Sequence, residues 1–161
     1  MIVRVEGVPS YIAIDPGKST GWATFTAQGT LLACGLAKEP YDTIPRGLSL
    51  ALIERPWGEG RATQRDLVTL SRRMGEAKAA AGAKEAKEVY PVQWKGSVPK
   101  SIRTPAGVFY PAKVMIEGWM SERDRAVFEL CTQRVARSAK HNVLDAVGIG
   151  LWYARSKGLR K

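Results

Sequence analysis

An α/β domain is predicted for this chain of 161 residues, and three observations predict it. Short apolar runs separated by turn signals fill the first third. Helical spacing opened by Thr/Ser-x-x-Asp boxes dominates the rest. A 45% apolar composition suits one sizeable core rather than two. One domain is therefore expected across 1–161. Residues 11–15, about 21–26 and about 30–36 read as strands divided by Asp15-Pro16-Gly17 and by Gln28-Gly29, which makes an antiparallel meander. Leu48 to Ile53 is a fourth apolar run that ends in Glu54 and breaks at Pro56, the pattern of a buried strand delivering one acid at its C-terminal end.

Thr63-x-x-Asp66 opens a helix in which Leu67, Leu70, Met74 and Ala77 recur on one side until Gly82. Arg65, Arg72, Arg73 and Lys78 then form its outer face, either a nucleic-acid contact or an ordinary solvated surface. The Ala/Lys-rich stretch 77–88 reads as a helix end and linker, and Glu88 to Val92 as a fifth short strand. Gly96, Pro99, Pro105, Gly107 and Pro111 mark an irregular, substrate-facing segment, with Val108-Phe-Tyr and Val114-Met-Ile β-prone inside it. Ser121-x-x-Asp124 starts another helix with Val127, Leu130, Cys131 and Val135 inward and Arg123, Arg134 and Arg137 outward. A last helix runs from about Asn142 to Ser156, where Gly148 and Gly150 imply close backbone packing against the sheet.

Lysine and arginine total 25 against 15 acids, a net charge of +10. The cations are spread along the chain, so a folded basic face for a polyanion is favoured over a basic arm, with a merely solvating surface as the plainer alternative. Cys34 and Cys131 lie far apart beside a single histidine, which supports neither a disulfide framework nor a zinc site. No run approaches the ~20 apolar residues of a membrane span and no leader-like segment opens the chain. A cytoplasmic protein without membrane partners is expected.

Asp15 and Glu54 share one topological address, the C-terminal end of an apolar strand, and Asp145 faces them from the first turn of the last helix. Each has a plainer use, in a turn, a solvated strand end or a cap. Together they can hold two Mg²⁺ ions about 4 Å apart for phosphodiester hydrolysis, with Asp15 as the bridging ligand. His141 and Asn142 lie four and three residues before Asp145, within reach of the same place. His141 can bind metal or handle the proton of an attacking water.

Ile14-Asp-Pro-Gly-Lys-Ser-Thr-Gly21, Leu52-Ile-Glu54, Val89-Tyr-Pro with Trp94-Lys95, and His141-Asn-Val-Leu-Asp-Ala-Val-Gly-Ile-Gly150 resemble the RuvC-like Holliday junction resolvases of the RNase H-like superfamily, especially short phage forms. The resemblance spans most of the chain. It implies an RNase H-like fold, a five-stranded mixed sheet (antiparallel meander plus parallel strands) flanked by helices, in a homodimer. It also implies Mg²⁺ or Mn²⁺, two ions per active site, and paired nicks across four-way DNA junctions. By motif match Asp15, Glu54 and Asp145 become catalytic metal ligands, with His141 favoured over Asn142 as the fourth. Trp57 matches the place of an aromatic wedge that stacks on junction bases, or else folds onto the local core. Lys95 and Lys100 resemble basic residues near the scissile phosphate. The chain departs from its bacterial relatives in leaving only about a dozen residues between the third and fourth strands, where they insert a helix. A broader branched-DNA nuclease and a non-catalytic DNA-binding module are the competing functions; an actin-like or sugar-kinase ATPase would need a second domain.

Overall fold

Tyr-Ile-Ala-Ile at 11–14 is apolar at every position, so a strand made of it must be covered on both faces. The computed structural model, which describes residues 7–56, 63–99 and 101–161, puts it at the centre of a sheet. Trp57 and Lys100, candidates for DNA contact, lie outside the described residues. The strands are β1 (Tyr11–Asp15), β2 (Thr20–Phe25), β3 (Leu31–Ala37), β4 (Leu50–Glu54) and β5 (Glu85–Val89), in the order β3-β2-β1-β4-β5. β1, β2 and β3 form the antiparallel meander, while β4 runs parallel to β1 and β5 parallel to β4. This is the mixed sheet the sequence predicts.

Strand alternation sorts the core into two layers. Tyr11, Ala13, Ala23, Phe25, Leu50 and Leu52 point to one face, where Val143, Val147 and Leu151 of the last helix cover them. Ile12, Ile14, Ala51 and Ile53 point to the other, against Ala77 and Ala81 of the first helix. Each large side chain fully buried here, such as Phe25, Ile12 or Ile149, contributes roughly 1.5–3 kcal/mol. Residues 38–49 join β3 to β4 without a helix, and Tyr41 and Ile44 from this link fill the second layer.

α1 (Gln64–Ala81) starts at the expected box, with the Thr63 hydroxyl accepting from the Asp66 amide, and stops at Gly82 in the left-handed conformation, φ 50°. Its buried residues are Ala77 and Ala81, and its N-terminal half is more exposed than the spacing implies. Gly75 lies within this helix with nothing within 4 Å of an added Cβ. Gly75→Ala should therefore raise stability by about 0.8–1 kcal/mol, read as a higher urea midpoint at unchanged slope.

Four expectations need correction. Glu85–Val89 is the fifth strand, so the linker assigned to 77–88 ends early. Pro91 starts a helix, α2 (Pro91–Lys95), because its fixed φ suits a first helical position. In the segment after it the β-prone Val108-Phe does form a strand, in a short hairpin of β6 (Ile102–Thr104) with β7 (Gly107–Phe109). Val114-Met-Ile is not extended but part of α3 (Pro111–Trp119), whose Ala112 and Ile116 are buried. In α4 (Glu122–Thr132), capped by Ser121 as expected, Val127 and Cys131 face inward and Val135 packs on the core from beyond the helix end, whereas Leu130 is exposed. Asp124 is buried there with Val127 and Thr132, at 0% exposure. A 3₁₀ turn, Arg137–Ala139, leads into α5 (Lys140–Ser156). Cys34 on β3 and Cys131 on α4 are both free thiols and hydrogen bond to each other where α4 covers β3.

Asp124 knots the C-terminal tail to this layer. Its carboxylate accepts from the Leu31 amide (3.0 Å), the Ser121 amide (2.9 Å) and hydroxyl (2.8 Å), and Arg160 Nη2 (2.6 Å). Arg160 also donates to the carbonyls of Gly29 (2.9 Å) and Trp119 (3.2 Å). Three separate segments thus meet at one ion pair.

Candidate active site

The parallel register of β1 and β4 sets Ile14 beside Ile53, so the next residues, Asp15 and Glu54, end adjacent strands that run ~4.8 Å apart. Alternation then sends both side chains to the face covered by α5, since Ala13 and Leu52 point there. Asp15 pairs with Gly21 across the antiparallel ladder. A Cβ on Gly21 would lie 1.9 Å from the Asn142 carbonyl oxygen and 2.9 Å from the Val143 nitrogen. The first turn of α5 therefore rests directly on the rung that carries Asp15. Asp145 follows Asn142 by one helical turn and is buried, at 9% exposure.

Glu54 is held from a side the sequence analysis left without a role. Trp94 of α2, 3% exposed, donates its indole N–H to Glu54 Oε2 at 2.6 Å. The indole fits because Gly148 has no side chain: a Cβ there would stand 2.6 Å from Trp94 Cζ3. Gly148 lies one turn beyond Asp145, so Trp94 links Glu54 to the same stretch of α5. Gly150 meets Phe25 of β2 in the same way, at 2.0 Å. The close approach expected of both glycines is present, although Gly148 meets α2 and Ile116 of α3 rather than the sheet.

Other candidates are placed differently. His141 is exposed on the first turn of α5, while its neighbour Asn142 has its backbone against Gly21. Lys95 sits beside the carboxylate end, its ammonium 5.0 Å over the Trp94 ring. Arg65, Arg72 and Arg73 ride on α1, which covers the opposite face of the sheet. Arg72 pairs with Glu76 (2.7 Å) and Glu39 (3.2 Å), and Arg73 lies 4.0 Å from Glu39. Such exposed pairs contribute little and exchange readily. A cavity of about 440 Å³ between α3 and α4, lined by Val114, Met120 and Phe128 among others, contains none of these residues.

Carboxylate oxygens are the donors that a hard divalent cation takes, so the donor set fits Mg²⁺ or Mn²⁺ by type. Trp94 orients Glu54 without exhausting it, because a carboxylate offers about four acceptor positions. Among the described residues, however, no three His, Cys, Asp or Glu side chains stand close enough to form a ready ligand group. The backbone brings the three acids to one end of one face, and their side chains do not converge there on their own.

No family model and no curated protein matches the chain. Among solved structures it is similar to a Thermus thermophilus RuvC structure, at 16% identity over 94% of this chain and 98% of that one, with a TM-score of 0.46. It is similar to the same degree to T. thermophilus RuvC in complex with Holliday junction substrate, at 16% identity and a TM-score of 0.46 over 94% and 97% of the two chains. Among the described residues no helix is long and apolar enough to cross a membrane.

Proposed function

We propose that the chain is a metal-dependent endonuclease of branched DNA, nicking four-way junctions in pairs as a homodimer. The observation that carries this reading is the placement of Asp15 and Glu54 side by side on the α5 face of the sheet, at the end where Asp145 enters. The net charge of +10 suits a polyanionic substrate, and the motif resemblance directs the choice of substrate to the four-way junction. Two-fold symmetry of a dimer accounts for paired cuts.

In this mechanism Asp15, Glu54 and Asp145 hold two divalent cations, with His141 or Asn142 completing the set. Such ions, when bound, supply activation of a water and stabilisation of the departing 3′ oxygen. Trp94 fixes one oxygen of Glu54 so that the carboxylate keeps its orientation as charge builds at the site. Lys95 supplies a cation near that end for a phosphate. α5, seated on Gly21, carries Asp145 on a rigid element.

The test is a labelled four-way junction incubated with Mg²⁺ or Mn²⁺. Wild type should release symmetric nicked products. Asp15→Asn should bind the junction while cutting it more than about 100-fold slower, since even partners of metal ligands are worth 10–100-fold. A junction left intact by wild type under conditions where both proteins bind it would sink the reading. Equal rates on forks and flaps would move it to a broader branched-DNA nuclease. The lack of a ready ligand group among the described residues favours one other reading, a DNA-binding module without catalysis. Calorimetry separates the two: heat of Mn²⁺ binding that Asp15→Asn and Asp145→Asn abolish supports the nuclease, and its absence in wild type supports the module.

A further inference from the structure

The β6–β7 hairpin exposes apolar side chains that the fold does not use. Every residue from 101 to 110 is exposed, and Phe109 and Tyr110 are 49% and 50% accessible, with Ile102 and Val108 nearly as open. Ile102 pairs with Phe109, and Arg103 with Val108, so one face of the ribbon carries Ile102 and Phe109 and the other Arg103 and Val108. Two three-residue strands are marginal on their own.

Its location follows from α3. Ile116 packs on Gly148 of α5, and Trp119 lies under Arg155, 5.7 Å away, so α3 and α5 run the same way. Pro111 is five residues back from Ile116, about 7.5 Å of helix, and Asp145 is three back from Gly148, about 4.5 Å. The hairpin joins Pro111 through Tyr110 and therefore leaves the molecule at the end where Asp145 and the strand-end carboxylates lie.

Charge identifies the occupant. From 89 to 116 the sequence has Lys95, Lys100, Arg103 and Lys113 and no aspartate or glutamate. Four cations with no carboxylate beside them attract a polyanion, and a polyanion with exposed rings of its own also suits the open aromatic side chains. We infer that the hairpin is a stacking surface for unpaired bases of a nucleic-acid strand, with Phe109 and Tyr110 as platforms and Arg103 as a phosphate contact. The inference rests on the branched-DNA reading, because only an open or single-stranded segment presents base faces to stack.

Binding without metal tests it apart from cleavage. Fluorescence anisotropy in EDTA compares a labelled 20-nucleotide oligo-dT with a blunt duplex of equal length. The double variant Phe109→Ala, Tyr110→Ala should lose at least about 10-fold in oligo-dT affinity and less than about 2-fold on duplex. Phe109→Leu with Tyr110→Leu, which keeps apolar area but no ring, should bind oligo-dT as poorly as the alanine variant. Arg103→Ala should flatten the slope of log affinity against log salt by about 0.7 on the single strand. Unchanged oligo-dT affinity, equal loss on both probes, or rescue by leucine overturns the inference. So does a fall in sedimentation mass in the alanine variant with DNA binding intact, which would make the hairpin a contact between copies. These outcomes are read without cleavage, whereas the nuclease reading fails on an intact junction with Mg²⁺ or Mn²⁺.

Discussion

Asp124→Ala is expected to destabilise the fold by about 3–5 kcal/mol, the range for removing one partner of a buried ion pair, lowering Tm by roughly 10 °C. The carboxylate is wholly buried and Arg160 is 16% exposed, so the substitution leaves a guanidinium largely out of water beside two carbonyls. It also removes the carboxylate half of the α4 capping box and the acceptor of the Leu31 amide. Arg160→Ala should cost less, about 2–3 kcal/mol, because the carboxylate keeps its bonds from Ser121 and Leu31. The pH dependence has a definite sign. Burial pushes the Asp124 carboxyl up, but the hydrogen bonds from Arg160, Ser121 and Leu31 outweigh it and hold it below the usual range. A depressed carboxyl contributes its full stability above the unfolded value of about 3.9 and loses it as pH falls through the lower folded value. Urea midpoints measured from pH 7 downward should fall below about pH 4 in wild type, and Asp124→Asn should flatten that limb. An unchanged acid limb in Asp124→Asn would show that the ion pair does not act as a folding clasp.

Asp124 also marks where sequence reading stops. Ser121-x-x-Asp124 identified the cap correctly because capping is local, within four residues. The burial of that carboxylate depends on Arg160, 36 residues away, and nothing in the spacing announces such a partner. The strands were legible because short apolar runs and turn residues act over a few positions, and the alternation of side chains along a strand then puts Asp15 and Glu54 on one face. Val114-Met-Ile was misread for the opposite reason: β-branched residues favour strands weakly, while Pro111 at a helix start and the fit of Ile116 against Gly148 decided for α3. Pro91 was read inside a strand, Glu88 to Val92, when it was a helix start. Of the site, the two strand-end acids and Asp145 were readable from position; the bond from Trp94 to Glu54 was not, since it joins α2 to β4 across 40 residues.

Gly21→Ala carries the second large expected effect and separates the site from the sheet that bears it. In a strand without close neighbours, alanine for glycine gains about 0.5–1 kcal/mol by limiting the unfolded chain. At Gly21 the added Cβ meets the Asn142 carbonyl oxygen at 1.9 Å and the Asn142 carbonyl carbon at 2.4 Å. These are backbone atoms of a helix and cannot rotate away, so α5 must lift from the sheet, at the upper end of overpacking costs, about 3 kcal/mol. Gly35→Ala tests the same strand propensity against a softer neighbour, the Trp22 ring at 3.0 Å on the other face, and Gly75→Ala tests a helical glycine with nothing within 4 Å. Urea midpoints should rank Gly75→Ala above wild type, Gly35→Ala slightly below it, and Gly21→Ala far below. Lifting α5 at Asn142 also moves Asp145 away from Asp15, one turn along the same helix. Gly21→Ala should therefore lose Mn²⁺ binding at temperatures where circular dichroism still reports a folded chain, while Gly35→Ala retains it. Equal metal affinity in the two variants would mean that the seat of α5 on Gly21 holds the fold together without positioning the third acid.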